Sequence, residues 1–154
     1  MTARMRPEPE DGTQAVVVRQ AGLEDAGVVH TLLFEFNGEA LPPGGLARRM
    51  HQVTGLETLL LAEQGGVPAG LLVLRVVPTI SDAHDWAEIT ELYVRPSFRR
   101  QGIGTALVCA AMELGRERGC VELNLLVDPA NVEAHAFYRA SGFRRDSCGM
   151  RRRA

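Results

Sequence analysis

A run of arginines and glycines in the second half of the chain has the residue types that bind phosphate groups. The run consists of Arg99, Arg100, Gln101, Gly102, Ile103, Gly104 and Thr105. An amphipathic pattern follows it and predicts a helix, and the first turn of a helix carries unpaired N–H groups and the positive end of the helix dipole. Gly102 and Gly104 lack the Cβ atoms that would keep a pyrophosphate away from this backbone. The run therefore predicts an anion-binding helix start.

The same glycines resemble part of a dinucleotide-binding fingerprint, but two features exclude that interpretation. Leu107 stands where the third glycine is required, and the preceding predicted strand ends well before Gly102 rather than directly at it. If the arginines are only solvated charge and the glycines only a loop, the run has no binding role.

The elements that must position this run follow from hydrophobic periodicity. Short apolar runs predict strands over 15–20, 58–62, 70–77, 87–94 and 120–127, with a hairpin turn at Gly65-Gly66. Helical spacing predicts helices over 23–36, around 46–53, over 102–118 and from about 131 to 142. A last short strand or hairpin is expected in FRRDS and MRRR. We expect a disordered tail over 1–13 and one α+β domain over 14–154 with a mostly antiparallel sheet.

Composition excludes several classes of protein. The chain has 154 residues, 45% of them hydrophobic and 23% charged, and a net charge of -2. Such a chain gives no reason to expect nucleic acid or a membrane as partner, and a reduced cytoplasmic location is expected. The three cysteines show no metal-type spacing, so no metal is expected.

Two motifs together resemble those of the GNAT N-acetyltransferase superfamily. RRQGIG, preceded by ELYVRP, is similar to its acetyl-CoA motif, and NVEAHAFYRASGF at 131–143 is similar to its second signature. The resemblance implies a mixed sheet of six to seven strands flanked by about four helices, with strands 4 and 5 parallel and splayed. It also implies that acetyl-CoA is the cosubstrate, with pantetheine paired to the backbone of Leu92, Tyr93 and Val94. Asn131 and Tyr138 would also contact the coenzyme.

Two carboxylates of the fourth predicted strand are candidates for the catalytic base. An amine with a pKa near 10.4 is neutral in only about one molecule in 2,500 at pH 7, so the enzyme must remove its proton. Glu88 aligns with the glutamate base that the family often uses, directly or through a water, and Glu91 is the alternative. Strand alternation directs them to opposite faces unless a β-bulge intervenes. Either could also be an ordinary exposed carboxylate.

Tyr138 and Asn131 belong to the second motif. The resemblance gives Tyr138 the role of a general acid toward the coenzyme sulfur, whereas packing beside Phe137 is its structural alternative. Asn131 is expected to cap the last helix.

The acceptor is the least defined part of the prediction. The family forms its acceptor pocket from the first two helices and the loop before the fourth strand, where this chain offers Glu35, Asp82, Asp85 and Trp86. Carboxylates and an indole suit a small cationic amine, although acidic loops are often only solvated. Two alternatives stay open: a protein N-terminal or lysine acetyltransferase, and a non-catalytic acetyl-CoA-binding domain. A homodimer through CGMRRR is a further expectation.

Overall fold

The computed structural model describes residues 14–145 as one sheet with helices on both faces. The strands are β1 (Val16–Gln20), β2 (Glu57–Gln64), β3 (Val67–Val77), β4 (Asp85–Val94) and β5 (Cys120–Leu125). The helices are α1 (Ala26–Asn37), α2 (Pro43–Gln52), α3 (Ile103–Glu117) and α4 (Val132–Ala140). The strand order is β1-β2-β3-β4-β5, with antiparallel pairing up to β4 and a parallel β4–β5 pair. The α+β class and the parallel β4–β5 pair are thus confirmed.

The expected count of six to seven strands is too high for the described range, which contains five. A last short strand or hairpin was expected in the C-terminal segment, of which residues 143–145 are described and form no strand. Phe143 packs against Tyr138 and the apolar residues beneath α3 instead of continuing a strand. The remainder of that segment, including all of CGMRRR and the dimer contact expected of it, lies outside the described residues, as does the tail over 1–13.

Local signals account for most element boundaries. Gly65 and Gly66 join β2 to β3 with φ angles of +59° and +76°, the left-handed conformation that a tight hairpin turn requires. The third strand ends at Val77, directly before Pro78. The longest helix, α3, has 15 residues, and no helix within 14–145 is long and apolar enough to cross a bilayer.

The two faces of the sheet bury separate apolar clusters. On one face, α3 packs through residues such as Leu107 against the strand residues Leu72, Leu74, Ala87 and Ile89. The opposite face packs against α1 and α2 through one set of residues: Val29, Leu32, Leu46, Leu61, Leu71, Val73 and Tyr93. Side chains alternate between the two faces of a strand. These clusters therefore show which side chains of β4 point to α3 and which point to α1 and α2.

Candidate functional site

A bulge in β4 determines where its carboxylates lie. In the β3–β4 ladder Val73 opposes Glu91 and Leu74 opposes Ile89, which leaves Thr90 without an opposite residue. Glu88 opposes Arg75, and Arg75 is two positions from Val73 in β3, so the side chains of Arg75 and Val73 lie on the same face. The bulge therefore directs Glu88 and Glu91, their partners in β4, to one face, the one covered by α1 and α2.

The parallel pairing between β4 and β5 stops where the bulge begins. Its last pair is Ile89 with Leu125, and the ladder contains no β5 partner for residues 90–94. The backbone of Leu92, Tyr93 and Val94 therefore lies along an open edge on the β5 side. At the end of this edge Arg99 Nε donates to the Val94 carbonyl oxygen at 3.1 Å. An open row of N–H and C=O groups can pair with an extended ligand as with an added strand.

The open edge leads to the beginning of α3. Gly102 is the N-cap residue, with a φ angle of +82°, and a Cβ at this position would meet no atom within 4 Å. The first helical bond runs from Ala106 N to Gly102 O at 2.9 Å, which leaves the N–H groups of Ile103, Gly104 and Thr105 without helical partners. Arg100 precedes the helix with a φ angle of +63°, and the Gln101 amide donates to Ser97 O. An uncovered helix start with adjacent arginines is suited to an anion.

Gly104 has a second function that sequence reasoning missed. A Cβ at Gly104 would lie 3.1 and 3.2 Å from two ring atoms of Phe137. The second motif thus packs directly on the first, and Gly104 permits that approach. Neither motif alone indicates this contact, because most of α3 and all of β5 lie between Gly104 and Phe137 in the chain.

We expect Gly104→Ala to lower the free energy of unfolding by about 1–2 kcal/mol, because Phe137 must move by a few tenths of an ångström. A second substitution, Phe137→Leu, removes the ring that obstructs the new methyl group. Chemical denaturation of both single variants and the double variant measures their coupling. Additivity within about 0.5 kcal/mol would contradict the contact.

Tyr138 lies on α4 between two aromatic rings. Its ring centroid is 5.1 Å from that of Phe137 and 5.5 Å from that of Phe143. Burial raises the pKa of Tyr138 to about 12. Asn131 begins the helix, and its Oδ1 accepts a bond from Ala134 N at 3.0 Å, so the expected capping role is present.

The two carboxylates on the α1/α2 face have different surroundings. Glu88 lies 3.5 Å from Arg75, whose guanidinium also donates to Glu57 Oε1 at 2.6 and 2.8 Å. Burial is the main cause that raises the pKa of Glu91; the nearby Glu57 charge adds to this, and the Asn37 side chain opposes it. Glu91 is therefore the carboxylate whose proton affinity is shifted toward neutral pH.

The expected acceptor residues do not form one cluster. Glu35 accepts two bonds from Arg95 at 2.8 and 2.9 Å and one from the Tyr93 hydroxyl at 3.2 Å. Arg95 consequently holds the pKa of Glu35 below its usual value. Asp82 lies in an exposed loop, where it accepts a bond from His84 N.

Asp85 and Trp86 begin β4, and Trp86 opposes Val77 of β3. The β4 register places Trp86, Glu88 and Glu91 on one face of the sheet. Arg75 and Glu57 join them there, and sequence reasoning missed both because only the strand register brings them to Glu88.

Comparison with known proteins identifies the class. The model of the acetyltransferase (GNAT) family matches residues 28–143. An uncharacterized N-acetyltransferase of Methanocaldococcus jannaschii is 46% identical over 57 residues, which are 37% of this chain and 25% of that protein's length. An aminoalkylphosphonate N-acetyltransferase of Salmonella typhimurium is 28% identical over 140 residues, covering 88% of this chain and 89% of the relative.

A solved structure shares the fold over nearly the whole chain. It is an aminoglycoside N-acetyltransferase in complex with CoA, with a TM-score of 0.82 and 18% identity over 96% of this chain and 99% of the other. Since the family model spans most of the sequence, including both motifs, the chain belongs to the GNAT acetyltransferase family.

Proposed function

We propose that this protein transfers the acetyl group of acetyl-CoA to a small amine by direct attack. The proposal rests on three features found together: the uncovered start of α3, the open β4 edge over 90–94, and two carboxylates that the bulge brings to one face. The first part suits a pyrophosphate, the second an extended pantetheine, and the third an amine that must lose a proton.

The residues at the start of α3 fit the coenzyme. The N–H groups of Ile103, Gly104 and Thr105 would face the pyrophosphate, with Arg99 and Arg100 adding positive charge and Gln101 lying beside them. Pantetheine would pair with Leu92, Tyr93 and Val94 along the unpaired edge, with Asn131 on the far side at the start of α4. In this direction the thioester would lie near the bulge, where β4 and β5 come together.

The environment of the carboxylates favours Glu91 as the base, whereas alignment with the family motif favours Glu88. Glu88 lies 3.5 Å from the Arg75 guanidinium, which suits a group that is held in place. Burial raises the pKa of Glu91 and so increases its affinity for the amine proton. We assign proton removal to Glu91, directly or through a water, and to Glu88 the orientation of the ammonium group.

The reaction is balanced with the residues present. The ammonium group of the acceptor loses one proton to Glu91, and the neutral amine forms the new C–N bond to the acetyl carbon while the C–S bond breaks. The nitrogen then releases its second proton to solvent and becomes an amide. The thiolate takes a proton from Tyr138, which regains one from solvent, so one proton is released overall. With a pKa of about 12, the Tyr138 hydroxyl is protonated at neutral pH and available as a proton donor.

We expect Tyr138→Phe to lower kcat by about ten- to a thousandfold and to change the acetyl-CoA KM little, because the hydroxyl acts mainly in the transition state. Phe143→Leu, which alters the packing on the same ring, serves as a control for misplacement. Steady-state thiol release measures both. A kcat of Tyr138→Phe within twofold of wild type would make Tyr138 a packing residue.

The acceptor is proposed to be a small molecule. The relative that matches over most of its length is named for the acetylation of aminoalkylphosphonates. Of the acceptor residues expected from the sequence, Trp86 shares the face of Glu88 and Glu91, Asp85 begins β4, and Asp82 lies in the exposed preceding loop. Glu35 is a weaker candidate because Arg95 already pairs with it.

A thiol-release assay with amino acids, aminophosphonates, polyamines, aminoglycosides and peptides tests the function. Acetyl-CoA binding is measured separately by calorimetry. Thiol release with small amines supports the proposal, and release with peptides alone identifies a protein acetyltransferase. Tight acetyl-CoA binding without thiol release from any amine would contradict catalysis and favour a binding domain.

A further inference from the structure

A cavity of about 310 Å³ lies between the end of α2 and the end of β3. Five of its eight lining residues are valine, leucine or proline, and the three charged ones are Arg49, Glu57 and Arg75. The volume is at the lower end of the range that holds small ligands, and apolar walls with a few charged groups are typical of such sites.

The cavity adjoins the carboxylates of the proposed active site. Arg75 lines it and also lies opposite Glu88, with 3.5 Å between the guanidinium and the carboxylate. Val77 lines it as well and opposes Trp86. An acceptor whose amine lies near Glu91 and Glu88 can therefore extend along β4 into this space.

The charges in the cavity are not balanced. Two hydrogen bonds join Arg75 to Glu57, so these two residues largely neutralise each other. Within residues 14–145 no carboxylate lies within ion-pairing distance of Arg49, which is in the last turn of α2. The cavity thus combines apolar walls with one uncompensated guanidinium, an arrangement that suits a short aliphatic chain ending in an anion.

We propose that Arg49 in this cavity binds an anionic group of the acceptor, so that the substrate is an amine with a carboxylate or phosphonate at its other end. This inference rests on the proposed function and narrows its substrate class. The ammonium end lies at Glu88 and Glu91, and the anionic end lies at Arg49. Polyamines, which are cationic at both ends, place a positive charge beside Arg49 and are disfavoured.

A matched series of acceptors tests the proposal in a thiol-release assay. Aminopropylphosphonate, aminobutyrate, aminopropanol and diaminopropane share an amine on a three-carbon chain and differ in the distal group. We expect kcat/KM to be at least tenfold higher for the anionic acceptors than for the other two. The ratio between phosphonate and carboxylate shows which anion the site prefers.

Arg49→Gln should raise the KM of the anionic acceptors about tenfold, leave kcat within twofold, and leave aminopropanol unaffected. Arg48→Gln is the matched control, because Arg48 neighbours Arg49 on α2, is exposed as Arg49 is, and does not line the cavity. Equal use of all four acceptors, or no effect of Arg49→Gln on KM, would overturn the inference and leave the proposed function intact.

A binding measurement separates the two failures. If no acceptor releases thiol although acetyl-CoA binds, the proposed function fails. Anion binding in the cavity is then tested separately by calorimetric titration with aminopropylphosphonate. Binding that is lost in Arg49→Gln and kept in Arg48→Gln supports the anion site. Absence of binding, or binding that both variants keep, overturns it.

Discussion

Gly102→Val should weaken acetyl-CoA binding by at least a hundredfold while the fold stays intact. Gly102 has a φ angle of +82°, and a Cβ at this position would meet no atom within 4 Å. A branched side chain there would occupy the position proposed for the pyrophosphate and would disfavour the backbone conformation that aims those N–H groups. Isothermal calorimetry with acetyl-CoA measures the loss.

The same helix offers a matched control at its other end. Gly119 follows α3 with a φ angle of +79° and equally open space around it. Gly119→Val therefore carries a similar conformational cost far from the proposed coenzyme site. Loss of thermal stability in both variants with loss of affinity only in Gly102→Val supports the placement. Equal affinities for acetyl-CoA in the two variants would contradict the placement of the phosphates at this helix start.

Glu91→Gln should lower kcat by about a hundred- to ten-thousandfold near neutral pH and flatten the acidic limb of the pH–rate profile. Burial raises the pKa of Glu91, so in the wild type we expect the rate to rise with pH through a midpoint above the ordinary glutamate value. Higher pH should restore part of the variant's rate, because solvent then supplies neutral amine. The profile of kcat/KM between pH 4 and 10 is the measurement.

Glu88→Gln is the comparison variant for this experiment. If Glu88 only orients the acceptor, its loss raises the acceptor KM and keeps the acidic limb. A flattened acidic limb in Glu88→Gln with a normal limb in Glu91→Gln would assign proton removal to Glu88 and orientation of the acceptor to Glu91. Unchanged limbs in both would assign the proton to a water chain or to another group.

Stability gives an independent check on Glu91. A carboxyl whose pKa is raised in the folded state stabilises the fold only while it is protonated, and that contribution is lost as pH rises through the folded pKa. Once ionised, Glu91 therefore opposes folding. We expect Glu91→Gln to be as stable as the wild type or more stable at pH 7, although it is far less active.

Elements with local signals were predictable from the sequence. The Gly65-Gly66 turn, the start of α3 and the Asn131 cap all depend on residues close together in the chain, and each is found as expected. Of the short strand expected in FRRDS, only residues 143–145 are described, and they form no strand because Phe143 packs against Tyr138. An apolar residue near a chain end can serve a strand or a helix equally, and only packing distinguishes them.

Long-range partners were not predictable from the sequence. The pairing of Glu35 with Arg95 and of Arg75 with Glu88 requires the position of α1 and the register of β3 against β4. The face shared by Glu88 and Glu91 depends on which residue of β4 is bulged, and residue types alone leave that undetermined. For the same reason the charge left uncompensated at Arg49 becomes evident only once its neighbours are known.

The bulge at Thr90 makes the chemistry of this sheet depend on backbone geometry as well as on residue identity. Glu88 and Glu91 are three positions apart, so a regular strand of the same length would direct them to opposite faces, and one of the two would meet the apolar surface under α3. Loss of the single bulged residue would instead leave them two positions apart in a regular strand, still on one face. Among relatives, a one-residue gap at this point is therefore compatible with the same pair of carboxylates, whereas a regular strand of full length is not.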